Sequence, residues 1–578
     1  MESYINTLSK MFNNGGDIHY VLPHFQREYI WEKTQWLELL RDLFFVYQEY
    51  NPDKPVVHFF GLMVTIPDGM INGTIPRYRV VDGQQRLITI SLILVVLREI
   101  AKKKKYTNDL SQKIDKLITN YLEKEIARFK ILPSTRHGDG ETYISIINST
   151  PNKVKGSLIF DAYMYIHREL NRRISRHELS LEKLFEVLVN CFQVALVILS
   201  SEESPYQIFE SLDSKGKLLS QADLVRNYIA MTLPVNLQKQ VFEEHWIKIE
   251  TLLREQNKIG RSGELTAFIR HYLAMRRQTI YVEDRVYARF RDYIEQEYSK
   301  PLELAQEIGT IRRFSEYYHR ILVPDDEADA NVKKAISRLH ILEASMTYPL
   351  LLSAYEERNL GIITSKELVD LLRMLENLVV RRYLCGESAS ILFKWFTTTW
   401  NEIKQERQNY TFTEACRRVI TGKFYPTDRH LRQSIQIVKV YSGALAQNRL
   451  KIAFVLNSIE EHLWGKTDVF TQLKGPATIE HLMPRTLTEE WKTELGTFWE
   501  QTYKDYLHTL GNLTLVTRGK NTQLSNMVFS QKKRLLLEQG LRLNGYFTDS
   551  VPVWNDRAIL TRAEWLAQYI FQIWPSLV

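Results

Sequence analysis

Near the tail of the chain, Glu480 and His481 stand in the string Ala477-Thr478-Ile479-Glu480-His481-Leu482-Met483-Pro484-Arg485. Gly511-Asn512-Leu513-Thr514-Leu515-Val516-Thr517 follows about thirty residues later, then Lys520-Asn521 and Lys532-Lys533. A carboxylate, an imidazole and two amides supply a metal ligand, a general base and two polar positioners. Those are the parts that one-metal hydrolysis of a phosphodiester requires. A neutral imidazole near its unperturbed pKa of about 6.5 accepts a proton at neutral pH. A carboxylate and an amide oxygen are hard donors suited to Mg²⁺ or Mn²⁺. A Glu-His pair alone is common by chance and reads as a strand end; the ordered set around it is what carries the chemistry.

The elements that must hold these residues can be read locally. Thr478-Ile479 should end a short strand, with His481 at the turn and Pro484 stopping regular pairing. The alternation after Asn512 suits a second strand entered at that residue. Asn521 opens a stretch that leads to Phe529 and Lys532-Lys533 and reads as a helix start. Strand, strand and helix around one metal is the architecture of the HNH, or ββα-metal, nucleases. The segment resembles that family in residue type and order, including the nine-residue spacing of its two asparagines. The resemblance implies His481 as the general base that activates water and Asn512 as the residue that orients its imidazole. It implies Glu480 and Asn521 as metal ligands, although many sites of that family carry Asp where this chain has Glu480. Lys532 and Lys533 read first as a solvated helix face and second as phosphate contacts. His508 and His462 read as ordinary surface or packing histidines.

A second constellation lies toward the other end, at Arg79-Val80-Val81-Asp82-Gly83-Gln84-Gln85-Arg86. A strand should run into Asp82-Gly83, where Gly83 permits a tight turn, and a helix should start near Gln84. Free N–H groups at a helix N-terminus favour an anion, and Arg86 can add a bidentate phosphate contact. Alone, this corner reads as strand, turn and helix with Asp82 as the cap. It is flanked by Leu22-Pro23-His24-Phe25-Gln26-Arg27-Glu28-Tyr29-Ile30-Trp31 upstream. Ile208-Phe209-Glu210-Ser211-Leu212-Asp213-Ser214-Lys215-Gly216 and Leu219-Ser220-Gln221-Ala222-Asp223-Leu224 follow downstream. In this order the blocks resemble the N-terminal half of the GmrSD family of modification-dependent, type IV restriction enzymes. That half is a ParB-like domain with Asp-Gly-Gln-Gln-Arg as its hallmark. The family usually shows Asn where this chain has Asp213.

The resemblance implies an N-terminal domain that binds and hydrolyses a nucleoside triphosphate and senses DNA. Asp82, Gly83, Gln84, Gln85 and Arg86 carry over as the nucleotide site. Phe25, Gln26, Arg27 and Tyr29 carry over as the DNA-sensing face, where aromatic rings can stack on bases. Trp31 reads first as a core residue. Gly465-Lys466-Thr467 ends like a P-loop, but Glu460 stands where its first glycine belongs. Nucleotide hydrolysis is therefore expected at the ParB-like corner rather than at a Walker motif.

The 578 residues allow about three domains. They are expected at 1–230 (ParB-like, α/β), 231–445 (helical, a relay) and 446–578 (HNH-like nuclease), giving a multidomain α+β protein that is predominantly helical. Hydrophobic residues at 44% and charged residues at 25% indicate a globular chain. Cys191, Cys385 and Cys416 lie far apart, which suggests a reducing cytoplasm and no structural zinc. Leu87 to Leu97 is the longest apolar stretch and is too short to span a bilayer. The first residues lack a secretion signal. The net charge of +8 leans modestly toward a polyanionic partner.

The expectation is a cytoplasmic, nucleotide-regulated, modification-dependent DNA endonuclease of bacterial anti-phage defence. Its partners would be double-stranded, modified phage DNA, an NTP and Mg²⁺ or Mn²⁺, with no membrane and a possible homodimer. Two alternatives remain open from sequence. One is an NTP-dependent DNA-binding regulator with a structural HNH-like part. The other is an RNA-directed abortive-infection nuclease.

Overall fold

The protein is described by a computed structural model covering residues 2–13, 16–22, 28–54, 56–71, 73–103, 108–120, 129–133, 138–154, 157–199, 220–254, 264–441, 446–465, 477–517, 524 and 526–578. The chain divides into two units, Met1–Ile247 with Phe290–Ile308, and Lys248–Arg289 with Gly309–Val578.

The first unit is built on a mixed sheet of six strands. They are β1 (Glu2–Thr7), β2 (His19–Val21), β3 (His58–Ile71), β4 (Ile75–Asp82), β5 (Ile131–Leu132) and β6 (Phe192–Ile198), in the order β1-β6-β3-β4-β2-β5. β6 carries apolar residues on both faces, as expected of an interior strand. It pairs antiparallel with β1 and parallel with β3. The antiparallel β3–β4 pair brings Val64 opposite Asp82, so the Asp-Gly corner ends on the inner edge of β3. From that corner runs the helix Gln84–Lys103, buried along nearly its whole length from Leu87 to Ala101. A helix apolar on all sides can only be a central one. It packs on the helices Asn108–Ile118, Ile159–Ser175 and Leu181–Cys191.

The helix Gln221–Thr232 starts at the N-cap Ser220. Ser220 Oγ accepts from Asp223 N at 3.1 Å, and Asp223 Oδ2 accepts from Ser220 N at 3.2 Å. This reciprocal capping box satisfies two otherwise unpaired donors. The blocks Phe25–Arg27, Ile208–Gly216 and Leu219 lie outside the described residues.

In the second unit the regular elements of the middle segment are all helices among the described residues, as its sequence suggests. The helix Ser365–Leu384 ends at Cys385, with Gly386 at φ +71° in the left-handed region that favours glycine. Helices of the middle segment from Ala330–Ile341 onward fall in this unit with the tail, whereas Val235–Val241 falls in the first unit. Arg381, fully buried, donates to Trp574 O at 3.1 Å and to Pro426 O at 3.0 Å. Trp574 Nε1 in turn donates to Glu376 Oε1 at 2.8 Å. The tail contributes the antiparallel pair β7 (Ala477–His481) and β8 (Leu513–Thr517), then the helices Phe529–Leu537 and Asp556–Ile573. Leu482, Met483, Trp491, Phe529, Phe547 and Trp554 form the core beneath that pair. Among the described residues no helix is long and apolar enough to cross a membrane.

Candidate active site

β7 delivers Glu480 and His481 side by side in sequence but to different surroundings. In the ladder, Glu480 faces Thr514 and His481 faces Leu513. Leu482 N then donates to Asn512 O at 3.0 Å, so the chain stays tied to the turn that precedes β8.

His481 is only 6% exposed. Its Nε2 lies 3.2 Å from His508 Nδ1, and the Tyr441 ring meets it edge-on with centroids 4.8 Å apart. Burial pushes the His481 pKa down to about 3, and the nearby His508, Arg485 and Lys532 push the same way. The imidazole is therefore neutral at physiological pH, the form a base requires. Burial, with Arg485 and Lys439, lowers His508 as well. Tyr441 is held by its own backbone, which donates to His508 O at 3.3 Å, while Tyr383 OH holds the preceding Val440 O at 2.8 Å.

Glu480 is paired with Lys532, whose Nζ lies 2.6 Å from Glu480 Oε1 and 2.8 Å from His481 O. Burial pushes the carboxyl up and the ammonium down, and each partner opposes the other's shift. This corrects the expectation for Lys532, which is fully buried and neutralises Glu480 instead of meeting phosphate from a solvated face. Lys533 is also engaged, at 3.2 Å from Asp549 Oδ1 and 3.4 Å from Val551 O. Arg485 is an exposed cation beside the imidazoles, with its guanidinium 5.1 Å from the centroid of the Tyr441 ring.

Asn512 does not touch the His481 imidazole, and this too is a correction. It is fully buried in a short 3₁₀ turn, Leu510–Asn512. Its Oδ1 accepts from Met483 N at 2.8 Å and from Trp554 Nε1 at 3.0 Å. Its Nδ2 donates to Met483 O at 3.1 Å and to Leu507 O at 2.9 Å. An amide has two donors and two acceptor positions, and all four are used. Asn512 thus fixes the backbone just beyond His481 and just before His508, and orients the rings only through that backbone.

Two neighbours of Asn512 explain why the turn can exist. A Cβ on Gly511 would stand 2.3 Å from Ile559 O, so only glycine lets the closing helix approach. Arg562, fully buried on that helix, donates to Gly511 O at 2.9 Å and Leu513 O at 2.5 Å. Burial lowers its pKa to about 9.

As a cation site, the described residues supply one hard donor, Glu480, whose Oε1 already holds Lys532. Asn521 and the helix start expected there lie outside the described residues, and the described helix begins at Phe529. Elsewhere Cys385, Glu387 and His430 come together. There Arg382 takes Glu387 at 2.5 Å and burial pushes the thiol up to about 11, so the trio makes an ion-paired corner.

Sequence reasoning took His508 for an ordinary surface or packing histidine and passed over Tyr441. His508 had one available signal, its place four residues before Asn512 in the turn that Asn512 closes. Tyr441 stands 40 residues before His481 and carried none.

In the first unit, the Asp82–Arg86 corner forms as expected but its side chains diverge. Gly83 sits at φ +93°, and a Cβ there would lie 3.2 Å from Leu62 O. Gln85 Oε1 accepts from Ile30 N at 2.9 Å and its Nε2 donates to Glu28 O at 3.0 Å. Gln84 is buried, whereas Asp82 is partly exposed at the end of β4. Arg86 Nη1 donates to Leu62 O at 2.8 Å and borders a cavity walled by Leu8, Met11, Phe60, Leu87, Ile90 and Val194. Asp82, Gln84 and Gln85 do not line that cavity.

Tyr29 is corrected from a sensing residue to a core residue. It is 2% exposed, accepts from Trp36 Nε1 at 2.9 Å and bonds Thr89 Oγ1 at 2.7 Å, so no ring face is open for stacking. Its backbone N–H donates to Asp139 Oδ2 at 2.7 Å, and burial raises that carboxyl to about 6. Trp31 packs against the core, as read from sequence.

A chain that joins this helix-packed sheet to a tail with paired histidines matches two family models. The GmrSD restriction endonuclease N-terminal domain matches residues 8–230, and the C-terminal domain of GmrSD restriction endonucleases matches residues 425–569. These domains define a restriction nuclease, an enzyme whose substrate is DNA. The chain belongs to the GmrSD family of type IV restriction enzymes. No curated protein matches it.

Proposed function

We propose that this restriction enzyme is a modification-dependent DNA endonuclease of anti-phage defence. Its cutting site lies at His481, and nucleotide at the Asp82–Arg86 corner regulates it. The observation that carries the reading is the pairing of the His481 and His508 imidazoles, 3.2 Å apart at the end of β7, beside Glu480. His481 takes a proton from the attacking water. Arg485, an exposed cation beside it, meets the phosphate, since a guanidinium can bind phosphate oxygens bidentately. Asn512 keeps the backbone around both histidines in place. Mg²⁺ or Mn²⁺, held by Glu480 and Asn521, would neutralise charge developing on the scissile phosphate. In the N-terminal half, the turn at Gly83 and the helix start after it are suited to an anion, and Arg86 stands one turn in.

The test is cleavage of modified and unmodified plasmids, each with and without nucleoside triphosphate. Cutting should need the modification and respond to nucleotide. Equal cutting of both DNAs regardless of nucleotide sinks the coupling. His481→Ala should abolish cutting and leave nucleotide hydrolysis intact.

A second reading draws support from the Lys532–Glu480 pair, which occupies one ligand oxygen with an ammonium. On that reading the tail is structural and the chain is an NTP-dependent DNA-binding regulator. A Mn²⁺ titration separates the two. Binding that weakens in Glu480→Gln supports the nuclease site, and no binding by the wild-type protein supports the regulator.

A further inference from the structure

We infer that His508 is the positioning residue of the cutting site: its Nδ1 accepts a hydrogen bond from His481 Nε2–H, which leaves His481 Nδ1 as the nitrogen that takes the proton from water. The inference rests on the nuclease reading of His481.

The argument starts from a contact that allows only two arrangements. His481 Nε2 and His508 Nδ1 are 3.2 Å apart, with ring planes at 82°. A single hydrogen lies between the two nitrogens, so one ring donates and the other accepts. A neutral imidazole carries one N–H and one lone pair. Were His508 the donor, the His481 Nε2 lone pair would be consumed and its own hydrogen would sit on Nδ1. That ring would have no lone pair left for water. With His481 as the donor, its Nδ1 lone pair is free, and only this arrangement makes His481 a base.

The residue expected to orient His481 is not available for the task. Asn512 spends all four of its hydrogen-bonding positions on Met483, Leu507 and Trp554. What Asn512 does hold is the backbone on both sides of the imidazole pair. Leu507, just before His508, is fixed through its carbonyl oxygen. Tyr441 lies nearly parallel to the His508 ring, 18° between planes and 6.0 Å between centroids, while meeting His481 edge-on. The His508 ring is thus set from its backbone and from one face, as an orienting group must be.

In the reaction, a water O–H bond breaks and its proton goes to His481 Nδ1. The hydroxide lone pair forms the new bond to phosphorus. The P–O bond to the leaving sugar oxygen breaks with its electron pair on that oxygen, which takes a proton from solvent. Throughout, His481 keeps its Nε2–H on His508, so the ring stays in one orientation while only the proton from water moves onto it. The logic is that of a base held by a third group, a role recognised by geometry and independent of fold.

The test compares His508→Asn, His508→Gln, His508→Ala and His481→Ala in the full chain, with Mg²⁺ and a DNA that the wild-type protein cuts. Asparagine places an acceptor oxygen at the position of Nδ1, and glutamine places its amide one bond too far. His508→Asn should keep kcat within a few-fold, while His508→Ala and His508→Gln lose roughly 10- to 100-fold in kcat with KM little changed. A space-filling role for His508 would treat Asn and Gln alike. Equal kcat in those two variants, or wild-type kcat in His508→Ala, overturns the inference. If His508→Ala fails to fold, the Asn and Gln pair decides alone. Cutting by His481→Ala removes the nuclease reading and this inference with it. An inactive His481→Ala beside a fully active His508→Ala removes only the inference.

Discussion

Lys532 Nζ lies 2.6 Å from Glu480 Oε1, with the ammonium fully buried and the carboxylate nearly so. Such a pair is weak evidence for stability as a whole, yet breaking it from one side leaves a buried charge alone. Lys532→Met should therefore destabilise the second unit by about 3–5 kcal/mol. The double variant Glu480→Gln, Lys532→Met should recover much of that loss. Urea unfolding of the three proteins measures both terms, and a single variant as stable as wild type would falsify the buried pairing.

Asn512→Ala leaves Met483 N, Met483 O, Leu507 O and Trp554 Nε1 without their partner. Each stranded buried group costs about 1–3 kcal/mol, so a loss of roughly 3 kcal/mol or more is expected. Asn512→Asp keeps an acceptor for Met483 N and Trp554 Nε1 but has no donors for the two carbonyls, and should also be destabilised. Calorimetry on both, beside DNA cleavage, checks this. Unchanged melting with lost cutting would assign Asn512 a direct catalytic contact that its hydrogen bonds do not indicate.

Gly511→Ala forces either the turn or the helix Asp556–Ile573 to move, because the new methyl meets a backbone oxygen. Overpacking of this kind costs about 1–3 kcal/mol. Gly422→Ala is the matched control, since a Cβ there has open space. Equal stability of the two alanine variants would contradict the close approach.

His271 should make the second unit sensitive to acid. Burial lowers its pKa to about 3, its Nδ1 lies 3.1 Å from Tyr318 OH, and Nε2 has no hydrogen-bond partner among the described residues. The unfolded value is about 6.5. Below that pH the unfolded chain takes up a proton that the folded chain refuses, so stability falls as pH drops from about 6.5 toward 3. His481 acts in the same direction. His271→Phe keeps a ring between Tyr318 and Tyr348 and should show a shallower loss of urea midpoint between about pH 7 and pH 5. Parallel curves for variant and wild type would count against a neutral, buried His271.

Gln85 should act as a staple for the chain at Glu28–Ile30, whatever else the corner binds. Gln85→Ala removes the partner of Ile30 N and of Glu28 O. Hydrogen exchange at the Ile30 amide should speed up, and the first unit should lose about 1–3 kcal/mol. An Ile30 amide equally protected in the variant rules the staple out.

Much of the framework was legible from local pattern. The apolar segment Phe192 to Ile198 is an interior strand, and Ser220 with Asp223 is a capping box, both features with short-range signatures. The Asp82-Gly83 turn, the helix after it, and the strand pair around Glu480-His481 and Asn512 also stand where periodicity and turn chemistry put them. Each of these signals lies within a few residues of the feature it marks.

The site was less legible, because its working contacts are long in sequence. Lys532-Lys533-Arg534 has the composition of a solvated face, yet the turn of the helix Phe529–Leu537 sends Lys532 inward to a carboxylate 52 residues earlier. Tyr29 has the look of a stacking ring until Trp36 and Thr89 enclose it.

By itself, then, the sequence determined the elements, the turn residues and the kinds of chemistry at hand, since those follow from short-range sterics and hydrogen bonding. The tertiary structure alone decided who pairs with whom: Lys532 with Glu480, His508 with His481, and Asn512 with backbone. Those pairings depend on which buried charges and polar atoms meet once the strands and helices pack. Burial makes an unmet polar group costly, so the packed arrangement, rather than residue type, sets each partner.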